Sequence, residues 1–256
     1  MPISQGRFVW HDLATTDVEG ARTFYSALAP WTTKPWDDDG EYILWEKEGT
    51  PVGGVTHLAD ATDRTSSPPS WLPSVFVYDV DDCVRHVPQL GGKVLMQPRE
   101  IPHIGCWAII AGPDGAAISI YEPSSKSPPG NDGVPKVGEF AWHELSSNNC
   151  EQSLQFYARL FGWEKIREHD MGENGTYVVF GQKGKALGGM FTRRDETAGS
   201  NWTSYVEVPS VQAAMETVKS LGGQVMYGPH EVPGGSWIAM CADPQGAKFA
   251  ITSATM

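Results

Sequence analysis

The chain has 256 residues, 40% apolar and 20% charged, which excludes a disordered or low-complexity protein and allows one large domain or two of ordinary size. Its 31 acidic against 19 basic residues leave a formal charge of −12, which repels phosphate backbones and anionic headgroups, so neither nucleic acid nor membrane is an expected partner. No apolar stretch approaches the roughly 18 residues of a spanning helix, and the start, MPISQGRFVWHDL, has no basic segment leading into an apolar run, so a soluble cytoplasmic protein is expected.

The first predicted strand is FVWHDL, from Phe8. It runs into a helix over about 17–28, where Val18, Ala21, Phe24 and Leu28 share one face and Thr16 or Asp17 can cap the start. Strands near 42–46 and 51–57 follow, joined by a turn containing glycine. The order then repeats. The strand PSVFVY precedes a helix with Val80, Val84, Val87 and Leu90 on one face, stopped by Gly91-Gly92. Pro88 removes a backbone donor inside that helix, which predicts a kink or an early end. The strands CWAIIAG and AAISIYE close the half, joined through Gly112-Pro113-Asp114-Gly115, where Pro suits the second turn position and Gly the fourth.

All of this occurs twice. Phe8, Trp10, His11, Leu13, Phe24, Tyr25, Leu28 and Trp31 align with Phe140, Trp142, His143, Leu145, Phe156, Tyr157, Leu160 and Trp163. Further on, Gly91-Gly92 align with Gly222-Gly223, and Pro113 with Pro244. The stretch SSKSPPGNDGVPK, residues 124–136, reads as a linker, giving domains at 6–123 and 137–254. Each copy is two strand-helix-strands modules, and sequence leaves open whether modules pair within or across copies. Cys83, Cys106, Cys150 and Cys241 are scattered without C-x-x-C spacing and are expected to be reduced structural thiols.

The segment LATTDVEGARTFY, its helix, the Gly-Gly helix stop and the P-D-G hairpin, in that order and duplicated, resemble the vicinal-oxygen-chelate superfamily (glyoxalases, bleomycin-resistance proteins and extradiol dioxygenases) over nearly the whole chain. The resemblance implies an α+β fold of four tandem βαβββ modules forming two curved, cup-shaped mixed sheets with helices on the convex side. It also implies a divalent metal in the cup and leaves a homodimer open. The family's donor positions, however, fall on Trp10, Leu72 and Ser119 in the first copy and on Trp142, Thr203 and Ala250 in the second. An indole cannot ligate, and the fourth-strand segments TPVGGVTH and KALGGMFT contain no carboxylate. No cofactor is therefore predicted, although a divalent metal held by other residues stays open.

Strand alternation sorts the remaining candidates. His11 and His143, in WHDL and WHEL, share a face with Leu13 and Leu145, which predicts core histidines; a bulge would instead turn them into the cup as fallback metal ligands. The same alternation sends Trp10 with Asp12, and Trp142 with Glu144, to the cup face. There a carboxylate can act as a general base or hold a hydroxylated or cationic ligand, or it can simply pair with a neighbouring Arg or Tyr. Tyr205 and Glu207 face the second cup, with Ser74 and Phe76 at the matching places in the first. Asp12, Glu144, Glu207 and Tyr205 are the catalytic candidates; Trp10, Trp142, Phe76, Thr203 and Ser119 are the ligand-binding ones. His57, His103 and His230 read as surface residues.

There is no phosphate-cradling loop, dinucleotide fingerprint or nucleophile elbow. Three readings remain: binding or metal-independent conversion of a small organic molecule in Trp-lined cups; a metal-dependent lyase, isomerase or dioxygenase with nonstandard ligands; and sequestration of a cationic aromatic compound.

Overall fold

The computed structural model describes residues 5–36, 40–61, 67–125, 133–195 and 197–256. The first strand, β1 (Phe8–Thr15), leads into helix α1 (Val18–Leu28), whose start is capped by the Asp17 carboxylate accepting from the Gly20 amide over 2.9 Å. Ala21, Phe24, Tyr25 and Leu28 form its buried face. Then come β2 (Thr32–Pro35), β3 (Tyr42–Lys47) and β4 (Thr50–His57). β4 runs parallel to β1, with Asp12 opposite Gly54, and antiparallel to β3, with Leu44 opposite Gly54.

The second module holds β5 (Ser70–Phe76), α2 (Val80–His86), β6 (Lys93–Ile101), β7 (Gly105–Ala111) and β8 (Ala117–Pro123). Helix α2 ends before Pro88, and Pro88–Leu90 carry on as a single tighter turn, the early end expected of a proline with no N–H to donate. Gly91, at φ 87°, takes the left-handed turn that stops it. Gly92 is needed for a different reason, since a Cβ there would sit 2.7 Å from the Phe156 ring.

The second repeat follows the same order: β9 (Phe140–Ser147), α3 (Cys150–Phe161), β10 (Glu164–Asp170), β11 (Thr176–Gln182) and β12 (Lys185–Thr192), then β13 (Asn201–Glu207), α4 (Val211–Ser220), β14 (Gln224–Glu231), β15 (Trp237–Ala242) and β16 (Lys248–Ser253). The strands form two eight-stranded mixed sheets, ordered β2-β3-β4-β1-β5-β8-β7-β6 and β10-β11-β12-β9-β13-β16-β15-β14. This is the α+β arrangement of βαβββ modules. The outer strands β2 and β6 were not visible in the sequence pattern.

The chain divides into two compact units, and each draws on both repeats. One takes in Met1–Val9, Leu72–Asn131 and Trp142–Trp202; the other takes in Trp10–Trp71, Asp132–Ala141 and Thr203–Met256. In the first, Val75, Ile110, Ile118 and Ile120 and, from the other repeat, Leu145, Val178 and Phe180 pack with Val80 and Cys83 of α2 and Phe156, Tyr157 and Leu160 of α3. In the second, Leu13, Val55 and Ile43 and, from the other repeat, Val206, Phe249 and Ile251 pack with Phe24 and Leu28 of α1 and Met215 and Val218 of α4.

One hydrogen bond recurs in both. The Trp163 indole donates to the Gly6 carbonyl over 2.7 Å in the first unit, and the Trp31 indole donates to the Gly138 carbonyl over 2.7 Å in the second. In each case the tryptophan that follows one repeat's first helix holds the start of the other repeat's first strand. Of the predicted linker, residues 126–132 lie outside the described residues. All four cysteines are free thiols, and no helix among the described residues is long and apolar enough to cross a membrane.

Candidate functional site

Register fixes which side chains leave the helix-covered core. In the unit containing α1, Leu13, Ile43 and Val55 face the helices, so Trp10, Asp12, Tyr42 and Gly54 lie on the opposite, helix-free face. In the unit containing α3, Leu145, Val178 and Met190 face the helices, leaving Trp142, Glu144, Tyr177 and Gly189 on the helix-free face. In both units these are partly buried positions, except that the glycines are fully buried.

On each face the aromatic and acidic residues form a hydrogen-bonded chain. The Trp142 indole donates to the Tyr177 hydroxyl over 2.9 Å, and that hydroxyl donates to the Glu144 carboxylate over 2.8 Å. In the other unit the Trp10 indole donates to the Tyr42 hydroxyl over 2.9 Å and to the Asp12 carboxylate over 3.1 Å, and Tyr42 donates to Asp12. Burial, reinforced by the Glu144 charge, holds the Tyr177 phenol protonated well above the ordinary tyrosine range. Tyr177 is therefore a permanent donor to Glu144 at neutral pH.

Each tyrosine crosses the sheet over a glycine. A Cβ at Gly189 would lie 2.1 Å from the Tyr177 hydroxyl, and one at Gly54 would lie 1.9 Å from that of Tyr42. The preceding glycines are also tight: a Cβ at Gly188 would meet the His143 carbonyl at 2.0 Å, and one at Gly53 the His11 carbonyl at 2.5 Å. The Gly-Gly pair of the fourth strand in each repeat thus brings two strands and a phenol together. Sequence reasoning chose Trp10, Asp12, Trp142 and Glu144 but missed Tyr42 and Tyr177. Their signal was present, because a Tyr precedes a Gly-Gly by the same interval in both repeats.

The other candidates are spread over both units. Thr203, Tyr205 and Glu207 lie on β13, with Tyr205 opposite Ala250 and Glu207 opposite Thr252. Tyr205 and Thr203 are buried, and burial raises the carboxyl pKa of half-buried Glu207. In the other unit Ser74 lies opposite Ser119, and Phe76 opposite Tyr121, with Ser74, Phe76 and Ser119 all buried.

His11 and His143 are each 5% exposed and stacked face to face on a phenylalanine of the other repeat: His143 on Phe8 at 3.6 Å between ring centres, His11 on Phe140 at 3.5 Å. Burial lowers the His143 pKa to about 3, so the ring is neutral. His57, His103 and His230 are exposed.

The residues at the donor positions do not fit a divalent cation. Both tryptophans use their N–H as donors, an indole nitrogen has no lone pair to offer, and Leu72 and Ala250 offer only carbon. Among the described residues no group of three or more His, Cys, Asp or Glu converges. The arrangement that is present can take a proton from, or accept a hydrogen bond from, a bound hydroxyl, and can offer flat apolar surface to a ring.

Residues 139–251 match the model of the Glyoxalase/Bleomycin resistance protein/Dioxygenase superfamily. Across the whole length the chain is 29% identical over 254 residues to "Putative glyoxylase CFP32" of Mycobacterium tuberculosis, covering 96% of this chain and 94% of that one. It is 28% identical over 262 residues to "Anthracycline biosynthesis protein DauV" of Streptomyces sp. (strain C5), covering 96% and 92%. Among solved structures, the Mn(II)-bound glyoxalase from Novosphingobium aromaticivorans superposes with a TM-score of 0.63 at 16% identity, over 100% of this chain and 83% of that one. The 2,3-dioxygenase LapB from Pseudomonas sp. KL28 gives 0.66 at 13%, over 98% and 93%. At such identities the two structures speak for the fold alone. The duplicated βαβββ modules thus share the fold of these two structures, and the second repeat matches the model of the glyoxalase, bleomycin-resistance and dioxygenase superfamily.

Proposed function

We propose that this protein binds a planar, hydroxylated organic molecule on its helix-free sheet faces, with Asp12–Tyr42 and Glu144–Tyr177 orienting it and accepting its hydroxyl proton. No protein-held divalent cation takes part. The observation that carries the reading is the indole–phenol–carboxylate chain, which recurs in both repeats and uses Trp10 and Trp142 at two of the positions where the family's metal donors would stand. In the unit with Asp12 and Tyr42, Glu207 and Tyr205 extend the set as a carboxyl and a phenol, with Thr203 buried beside them on β13; in the unit with Glu144 and Tyr177, Phe76 and Ser119 are the buried floor. The relative named for anthracycline biosynthesis supports the choice of ligand, since anthracyclines are flat hydroxylated quinones. The acidic charge of −12 also suits such a molecule when it carries an amino group.

The test is a titration with alizarin, a dihydroxyanthraquinone, in chelator-containing buffer, followed by ligand absorbance. Asp12→Asn with Glu144→Gln keeps size and removes both charges. A loss of affinity of about tenfold or more is expected, in line with removing a charged hydrogen-bond acceptor. Unchanged affinity in the double variant would sink the proposal. So would an absence of binding across a panel of planar phenols.

A further inference from the structure

Among the described residues four buried side-chain polar atoms have no hydrogen-bond partner: Trp45 Nε1, Trp107 Nε1, Ser204 Oγ and Gln245 Oε1. Three are set apart by position. Trp45 belongs to the core under α1, Ser204 has the parity of core-facing Val206, and Gln245 lies in the hairpin turn between β15 and β16.

Trp107, on β7, is different. It lies opposite Tyr121, which in turn lies opposite Phe76; one step along, Ile109 lies opposite Ser119, and Ser119 opposite Ser74. The residues between them, Val75, Ala108, Ile110, Ile118 and Ile120, are the ones in the helix-packed core. Trp107 therefore stands on the helix-free face of β5, β8 and β7, directly across from Tyr121 and in one cross-strand row with Phe76. Tyr121 on the same face uses its hydroxyl on the Ile104 carbonyl over 2.9 Å, so that donor is already engaged.

An indole N–H can donate but not accept, and leaving it buried without an acceptor is costly. The geometry points to Trp107 as the residue that donates to a carbonyl oxygen of the bound molecule, with Tyr121 across from it and Phe76 one strand further along the same row contributing flat surface. The ligand class is then narrowed to planar hydroxylated ketones and quinones. This rests on the binding proposed above and adds to it the second functional group that the ligand must carry. The device belongs to the first repeat only, because the matching place on β15 is Ile238, opposite Thr252. There the second repeat instead carries Glu207, at the position of Phe76.

Two probes with one ring system separate the alternatives: alizarin, and a dihydroxyanthracene lacking the ring carbonyls, each titrated anaerobically with chelator present and followed by ligand absorbance. Trp107→Phe is expected to weaken alizarin about tenfold, the loss of one buried hydrogen bond, while changing the dihydroxyanthracene by less than about twofold. Unchanged alizarin affinity, or equal weakening of both probes, overturns the role of Trp107 and leaves the broader binding proposal standing. Wild-type protein that binds neither probe overturns both. Should Trp107→Phe fail to fold, the Trp107 indole proton resonance of wild-type protein gives the answer. It is expected to move downfield with alizarin and not with the dihydroxyanthracene, and equal or absent movement contradicts the assignment.

Discussion

The Tyr177 hydroxyl reaches Glu144 over 2.8 Å because Gly189, beneath its path, has no side chain. Gly189→Ala therefore disturbs the site without removing any functional group. Its Cβ would sit 2.1 Å from the hydroxyl and 2.2 and 2.3 Å from two carbons of the ring, all side-chain atoms, so the whole phenol must rotate away from Glu144 while the backbone pairing is kept. A stability loss of about 1 kcal/mol is expected, with a loss of alizarin affinity close to that of Tyr177→Phe. Denaturant unfolding and absorbance titration of the two variants check this, and a Gly189→Ala protein that binds like wild type contradicts the geometry.

His143 gives the pH prediction. Its pKa is lowered by burial to about 3, against an unfolded value near 6.5, so the unfolded chain binds the proton more readily between those limits. Its contribution is an acid-side loss of stability, beginning as pH falls below about 6.5 and complete near about 3, at up to about 1.4 kcal/mol per pH unit. His143→Phe removes that slope. The imidazole proton resonance of His143 should keep its neutral position from about pH 8 down to about pH 4. A midpoint near 6.5 would place the ring in solvent.

The two reciprocal indole contacts predict a matched pair of defects. Trp163→Phe leaves the Gly6 carbonyl without its 2.7 Å partner, and Trp31→Phe does the same to Gly138, so each should cost about 1–3 kcal/mol. Gly6→Ala should cost at least as much, because Gly6 has φ 104° and a Cβ there would meet the Phe161 carbonyl at 2.7 Å. Thermal unfolding of the three variants provides the comparison.

Because each compact unit draws on both repeats, neither repeat owns a complete core. Fragments 1–131 and 132–256 are expected to be unfolded alone and to regain native circular dichroism when mixed. A folded, monomeric fragment 132–256 would contradict this.

Much of this was legible in the chain. The duplicated WHDL and WHEL strands, the apolar stripe of α1, the Asp17 cap and the early end at Pro88 all arise from local chemistry, where period, capping and a missing N–H act within a few residues. Alternation alone put His11 and His143 on the buried side and Trp10, Asp12, Trp142 and Glu144 on the other. What escaped is what depends on distant partners. Tyr42 and Tyr177 join the site from another strand through a glycine gap, and Trp107 stands out only once its N–H is seen to lack an acceptor. The outer strands β2 and β10 are mostly exposed, so they carry no inside-outside pattern to read. The sharing of each core between repeats is a property of three-dimensional pairing, to which a repeat count is blind.

The most direct test of indole–phenol–carboxylate chains standing in for a metal centre is elemental analysis of untagged protein, purified without chelator and incubated in turn with manganese, iron, nickel and zinc before gel filtration. Retention far below one ion per chain is expected for every metal. Retention of about one ion per repeat, lost in His143→Ala, would contradict it and return His11 and His143 to the role of ligands.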